Sequence, residues 1–474
     1  MRTMARITPP VVLLLLAGLA WSEERNRFAD VLALQEAVHE SIERAEPSVA
    51  CILVSRSDKY KEFNVAQPDV PGRLGRFARP NIAENDPRFK AIRRLDLSDP
   101  NNVPESYGSG VVIDEREGLV LTLAHVVRKA TKVYVRLPGG RGSWADIHAA
   151  DPRSDLAVLR LIDRVPNLKA LKLGDGDKLR KGDFVLSLSN PFAAGFADGS
   201  PSASWGIVSN LRRRSTGMLS DFEPAERTAR LPLYCFNTLI QTDTRLNLGC
   251  SGGALLNLQG KLVGLTSSLA GIAGGETPGG FAVPLSEGMR RVIEVLRRGE
   301  EVEYGFLGVF LRSAVRVPDG HVQIDSLLAD GPAERGQIRG PIRGRRGGGF
   351  PAEGGDFILS INGMPVRSND ELFLSVGMHL AGSDIRVEVA ASPDGPRRTC
   401  SVRLAKFPVL ETEPIIASHR PEARRGLRVD WTSTLVPRQS LRSVPRGVIV
   451  CQVQPGSPAS AHIQQDMIIK RVND

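Results

Sequence analysis

At 474 residues the chain is long enough for three or four domains of roughly 100–200 residues each. Hydrophobic residues make up 41% and charged residues 24%, ordinary globular usage that excludes a mainly disordered chain and a polytopic membrane protein. The net charge of +9 comes from 62 basic and 53 acidic residues spread along the chain, so no nucleic-acid partner is expected.

The N-terminus reads as an export signal over residues 1–22. Arg2 and Arg6 precede the apolar run Val11–Ala20, and the small residues Gly18, Ala20 and Ser22 suit a signal peptidase. The run is shorter than the roughly 20 apolar residues a spanning helix needs. A periplasmic or secreted protein is expected, with an uncleaved leader acting as membrane anchor as the alternative. Over residues 23–46, Phe28, Val31, Leu32, Leu34, Val38 and Ile42 recur at helical spacing until Pro47. Residues 48–54 then read as a strand.

Residues 57–107 are charged and rich in proline and read as a long surface insertion, flexible unless bound. From Gly108 onward short apolar runs return: GVVID, LVLTLAHVV, KVYVRL, LAVLRL, FVLSLS, ALLNL and KLVGLTSS. Turn residues separate them at fairly even intervals, the pattern of an all-β barrel or sandwich. The 47 glycines and 32 prolines agree with short strands and many turns. Residues 286–298 form an amphipathic helix that closes this region. Two further β-rich units, 304–407 and 426–474, share a repeat: VQIDSLLADGPAERGQI then DFILSIN, against VIVCQVQPGSPASAHI then DMIIKRVN. Residues 408–425 read as a linker, and the Gly/Arg-rich stretch 339–349 as a solvated loop. The five cysteines, Cys51, Cys235, Cys250, Cys400 and Cys451, show no short metal-site spacing and read as small buried side chains. Neither metal nor cofactor is expected.

The segment Gly249-Cys250-Ser251-Gly252-Gly253 places a serine among glycines. A serine hydroxyl attacks only when a base takes its proton, and the resulting oxyanion needs two N–H donors aimed at one point. Glycine permits the tight turn that aims them. His125 ends an apolar strand-like run, and Asp155 precedes the run Leu156–Leu159. Alone, each has an ordinary structural explanation. Together they stand in the order His, Asp, Ser, with gaps of 30 and 96 residues between them. Those gaps predict His125 and Asp155 on one β-barrel, Ser251 on a second, and the active site between.

From about residue 47 to the C-terminus the chain resembles the HtrA/Deg family of trypsin-like proteases with PDZ domains. The strings GSGVVID, LTLAHVV, DPRSDLAVLRL, GIVSN, IQTDTRLNLGCSGGALLN and GGFAVPLS carry the likeness. The resemblance implies a two-barrel, chymotrypsin-like protease domain over 47–300, followed by α+β PDZ domains at 304–407 and 426–474, the second incomplete. It implies His125 as base and acid, Asp155 as its orienting carboxylate, Ser251 as nucleophile, and the amides of Gly249 and Ser251 as oxyanion hole. It places the specificity pocket on Gly264, Leu265, Thr266 and Ser267, and a carboxylate-binding loop on Tyr304, Gly305, Phe306, Leu307 and Gly308. Unfolded protein substrates, peptide C-termini at the PDZ domain, and a homo-oligomer built from trimers follow from the same likeness. Cys250 stands where the family usually has Asn, and Leu248 and Ala254 stand where it often has Pro. Register puts Ser251, not Cys250, immediately before the glycine pair. A PDZ-based adaptor on a silenced protease fold is the competing reading, and the intact triad argues against it.

Overall fold

The computed structural model describes residues 28–62, 71–77, 83, 85–102, 104–213, 233, 238–268, 280–312, 317–318, 320–341, 354–408, 415–420, 423–438 and 443–473. The expected export signal, residues 23–27 of the N-terminal helix, Cys235 and most of the Gly/Arg-rich stretch lie outside these residues.

Six strands close the first barrel: β1 (Val49–Ser55), β2 (Ser106–Asp114), β3 (Leu119–Leu123), β4 (Lys132–Arg136), β5 (Gly142–Asp151) and β6 (Leu156–Leu161). Their order is β5-β4-β1-β2-β3-β6, and pairing of β5 with β6 completes the ring. All seven residues of β1 are buried, although a barrel strand ordinarily alternates between core and solvent. The reason is a second hydrophobic layer. Ala50, Ile52 and Val54 face the main core. Cys51 and Leu53 face outward into a cluster with Tyr60, Phe77, Ile92, Leu97, Tyr134 and Trp144.

The insertion supplies four of those residues, so the expectation of a flexible surface loop is corrected for its described part. The Phe77 ring lies 5.6 Å from Tyr60 and 6.1 Å from Trp144. Arg136 donates to the carbonyls of Leu97 and Ser98, both at 3.1 Å. Asp146 accepts from the N–H groups of Leu74 and Gly75, both at 2.8 Å. Aromatic residues spread singly through a proline-rich stretch have no period, which is why they do not announce a packed layer.

The second barrel contains β7 (Phe184–Ser189), β8 (Ser202–Arg213), β9 (Leu239–Thr242), β10 (Ala254–Asn257), β11 (Leu262–Ser267) and β12 (Gly280–Pro284). It closes in the order β10-β11-β12-β9-β8-β7. One hydrophobic cluster runs through both barrels and takes in the helix Glu287–Arg297. That helix begins where the Ser286 hydroxyl accepts the Met289 N–H at 3.2 Å, and it buries Met289, Val292, Ile293, Val295 and Leu296. At the chain's start, residues 28–45 are helical. Ser41 and Arg44 tie the end of this helix to the Leu258 and Gln259 carbonyls at 2.6 and 2.8 Å.

Beyond the barrels, the strands Val309–Leu311, Val322–Leu327, Phe357–Ile361, Asp384–Ala390 and Arg398–Arg403 form one sheet in that order. This unit has its own core, including Leu307, Val322, Ile324, Ile361, Leu372 and Val402. A three-stranded sheet follows, made by Leu427–Trp431, Val448–Val453 and Ile468–Ile469. Within the expected linker, Ile416–Ala417 pairs with β5 as a seventh strand on the first barrel. This part of residues 408–425 is thus docked, a second correction. No described helix is long and apolar enough to cross a membrane.

Candidate active site

Strand register brings His125 and Asp155 together. At one end of the β3–β6 pair, Leu123 lies opposite Leu156. The chain leaves β3 into the short helical turn Ala124–Val127, which carries His125, and enters β6 directly after Asp155. The His125 N–H donates to Asp155 Oδ1 at 2.9 Å, and His125 Nδ1 lies 2.7 Å from Asp155 Oδ2. The Asp155 carbonyl accepts from the Ala124 N–H at 2.8 Å. Asp155 holds this place with φ +58°, a left-handed conformation uncommon outside glycine.

Ser251 stands on the loop before β10. Gly249 (φ +94°) and Gly252 (φ +88°) give that loop its shape. A Cβ on Gly249 would lie 2.6 Å from the Asn190 carbonyl oxygen, and one on Gly252 would lie 2.1 Å from that of Ser109. Neither position admits a larger residue without displacing backbone. The N–H groups of Gly249 and Ser251 donate to no acceptor among the described residues, while those of Cys250, Gly252 and Gly253 are all engaged. Cys250 is buried, and its sulfur accepts the Asn247 N–H at 3.3 Å. Burial pushes its thiol pKa up, which keeps it neutral and unsuited to attack.

Strand β11 carries the loop. Thr266 exchanges backbone hydrogen bonds with Gly252 and Gly253, and its hydroxyl donates to the Cys250 carbonyl at 2.6 Å. Gly264, Leu265, Thr266 and Ser267, the residues predicted to wall the pocket, are all buried in β11 and uncharged. The first barrel contributes Ser109, which sequence reasoning missed although it lies within GSGVVID. Its hydroxyl donates to the Gly249 carbonyl and accepts the Asn190 N–H, both at 2.8 Å. Its own N–H donates to the Ser251 carbonyl at 2.8 Å. No hydrogen bond joins Ser251 to His125. The Ser251 hydroxyl instead lies 2.7 Å from that of Ser268.

The five residues predicted as a carboxylate loop divide. Tyr304 is buried, its hydroxyl bonded to Asp151, so its side chain belongs to the protease junction. The Gly305 N–H is already taken by the His379 carbonyl at 2.7 Å. Gly305–Phe306 pairs as a short strand with Ala405–Lys406. The N–H groups of Leu307 and Gly308, in the turn before Val309, lack an acceptor among the described residues, as does that of Tyr304. At the junction the Arg153 guanidinium lies 3.9 Å from the Phe407 ring centroid and 5.2 Å from that of Tyr304.

Residues 108–265 match the trypsin-like peptidase domain family. A probable periplasmic serine endoprotease, DegP-like, of Ectopseudomonas mendocina (strain ymp) is 30% identical, the match covering 100% of this chain and 91% of that protein. The chain belongs to the DegP-like serine endoproteases. The periplasmic pH-dependent serine endoprotease DegQ of Escherichia coli (strain K12) is 29% identical over 81% of this chain and 76% of its own length. Among solved structures, an HtrA-type protease, AlgW with tripeptide, superposes with a TM-score of 0.50 at 25% identity, covering 78% of this chain and 96% of that one. This DegP-like chain is therefore a serine endopeptidase on a two-barrel, trypsin-like fold, as the sequence resemblance implied, and not a bare adaptor.

Proposed function

We propose that this DegP-like protease cleaves unfolded or damaged proteins outside the cytoplasmic membrane, with His125, Asp155 and Ser251 as its triad. The observation that carries the reading is the His125–Asp155 pair at 2.7 Å, together with a serine loop that Ser109 of the first barrel and Thr266 of the second both hold. Asp155 fixes the imidazole tautomer, leaving Nε2 to take the Ser251 proton as Oγ attacks the scissile carbonyl. The amides of Gly249 and Ser251 receive the oxyanion. His125 then protonates the leaving amine and activates the water that hydrolyses the acyl-enzyme. Ser251→Ala keeps the fold and lowers casein cleavage on the order of a millionfold. Casein hydrolysis by that variant well above background would falsify the assignment.

The uncharged β11 segment supports cleavage after small or medium aliphatic residues such as Val, Ala or Leu, because no acidic group is there to attract Lys or Arg. Mass spectrometry of casein fragments tests this, and a majority of cuts after Lys or Arg overturns it. The unit 304–407 acts as a PDZ domain that takes peptide C-termini, a role supported by the free amides of Leu307 and Gly308 beside the short strand Val309–Leu311. The unit at 426–474 is a second PDZ-like module, and the protease works as a homo-oligomer, a trimer or a multiple of trimers. The E. mendocina and E. coli relatives are periplasmic by name, which agrees with the leader-like N-terminus.

A further inference from the structure

Ser268 follows β11 by one residue and has no part in the triad. Two of its groups nevertheless meet the nucleophile. The Ser268 N–H donates to Ser251 Oγ at 3.0 Å, and the two hydroxyl oxygens lie 2.7 Å apart. Ser251 is 4% exposed, so water does not compete freely for its oxygen. His125, for its part, is bonded to Asp155, and its imidazole makes no hydrogen bond to Ser251. The base is thus oriented by Asp155 while the nucleophile is bonded to Ser268.

We propose that Ser268 is a positioning residue that latches the Ser251 hydroxyl off His125 in the resting protease. This rests on the triad reading above. Acylation then requires Ser251 to turn about its Cα–Cβ bond, exchanging the Ser268 hydroxyl for His125 Nε2. No covalent bond changes in that step. The Ser251 proton stays on Oγ until the oxygen reaches His125. A net hydrogen bond between neutral groups is worth about 1 kcal/mol, and that difference changes the population of a competing rotamer about fivefold. The latch acts on the fraction of enzyme ready to attack and leaves substrate contacts unchanged.

The test uses the full chain and a peptidyl phosphonate that labels activated serines, comparing wild type with Ser268→Ala, Ser268→Gly, Ser268→Thr and Ser251→Ala. Loss of the hydroxyl in Ser268→Ala and Ser268→Gly raises the labelling rate about fivefold. Ser268→Thr, which keeps a hydroxyl, stays near wild type. With a peptide substrate kcat rises by the same factor while KM holds. Two independent variants cover the case in which one fails to fold, as read by circular dichroism. If wild type is labelled but folded Ser268→Ala or Ser268→Gly reacts at the same rate or more slowly, the latch is wrong and the protease reading stands. If neither wild type nor the Ser268 variants are labelled above Ser251→Ala, both readings fall.

Discussion

Ser109 joins the two barrels through a single buried side chain. Its hydroxyl serves the Gly249 carbonyl and the Asn190 N–H, and its backbone holds the Ser251 carbonyl. Ser109→Ala leaves a buried acceptor and a buried donor without partners, a cost of about 1–3 kcal/mol. That energy holds in place the Ser251 loop, whose Gly249 and Ser251 amides donate to no described acceptor. The expected outcome is a ten- to hundredfold lower kcat on a peptide substrate, with KM and far-UV circular dichroism little changed. An unaltered kcat would show that the loop keeps its shape without the brace. His148 works at the same scale but on stability. It is buried, its Nδ1 lies 2.7 Å from the Ser418 hydroxyl, and its Nε2 lies 3.2 Å from the Arg297 carbonyl. Burial foremost, then the charge of Arg160, pushes its pKa down to about 4 from 6.5. The unfolded chain therefore binds more protons than the folded one between those values. Stability is full above pH 6.5 and falls as pH drops towards 4, by about 3 kcal/mol. Urea midpoints at pH 7, 5.5 and 4.5 should decline in wild type and decline less steeply in His148→Gln.

At the scale of elements, the short turn between β5 and β6 serves two masters. Asp155 ends it beside His125, while Asp151, the last residue of β5, and Arg153 grip the first residue of the following unit. Asp151 bonds the Tyr304 hydroxyl, and Arg153 lies over Tyr304 and Phe407. Burial raises the pKa of Asp151 and lowers that of Arg153, so each leans on the contacts the other unit provides. Tyr304→Phe removes one donor from a buried carboxyl and should cost about 1–3 kcal/mol. Chemical denaturation reads the loss directly, and an unchanged midpoint would mean that the hydroxyl contributes nothing net. DPRSD was visible in the sequence as part of a protease-like string. The role of its arginine was not, because its aromatic partners lie 151 and 254 positions further along the chain.

Across the whole molecule, Lys406 is the point where the units meet. Its ammonium is 2.7 Å from Glu301, 3.1 Å from Glu303 and 3.0 Å from Asp430. These come from the segment leaving the protease and from the first strand of the last sheet. The lysine is 7% exposed and its carboxylate partners are partly exposed. Losing the cation should therefore cost about 1–3 kcal/mol, below the range for a fully buried pair. In Lys406→Met, hydrogen exchange should quicken at 300–304 and 427–431 while phosphonate labelling of Ser251 persists. Unchanged exchange at both segments would show that apolar contacts alone hold the last sheet in place.

Local pattern determined much of this protein. The apolar runs at β1, β3, β4, β6, β7, β10 and β11, the helix Glu287–Arg297, and the order of His125, Asp155 and Ser251 were all legible, because alternation, helical spacing and a glycine-framed serine are short-range signals. Gly249 and Gly252 were readable for the same reason: their backbone angles exclude other residues. Tertiary structure decided the rest. Scattered aromatics of the insertion became a second layer over β1 only when Tyr134 and Trp144 offered a surface. Ile416–Ala417 became a strand only because β5 had an edge to pair with. Tyr304, which by sequence belonged to a peptide-binding loop, was claimed by the Asp151 carboxyl. Ser268, one residue beyond the predicted pocket wall, gained its place beside Ser251 from the register of β11 against the nucleophile loop. Contacts of this kind join residues far apart in the chain, and no periodicity along the sequence encodes them.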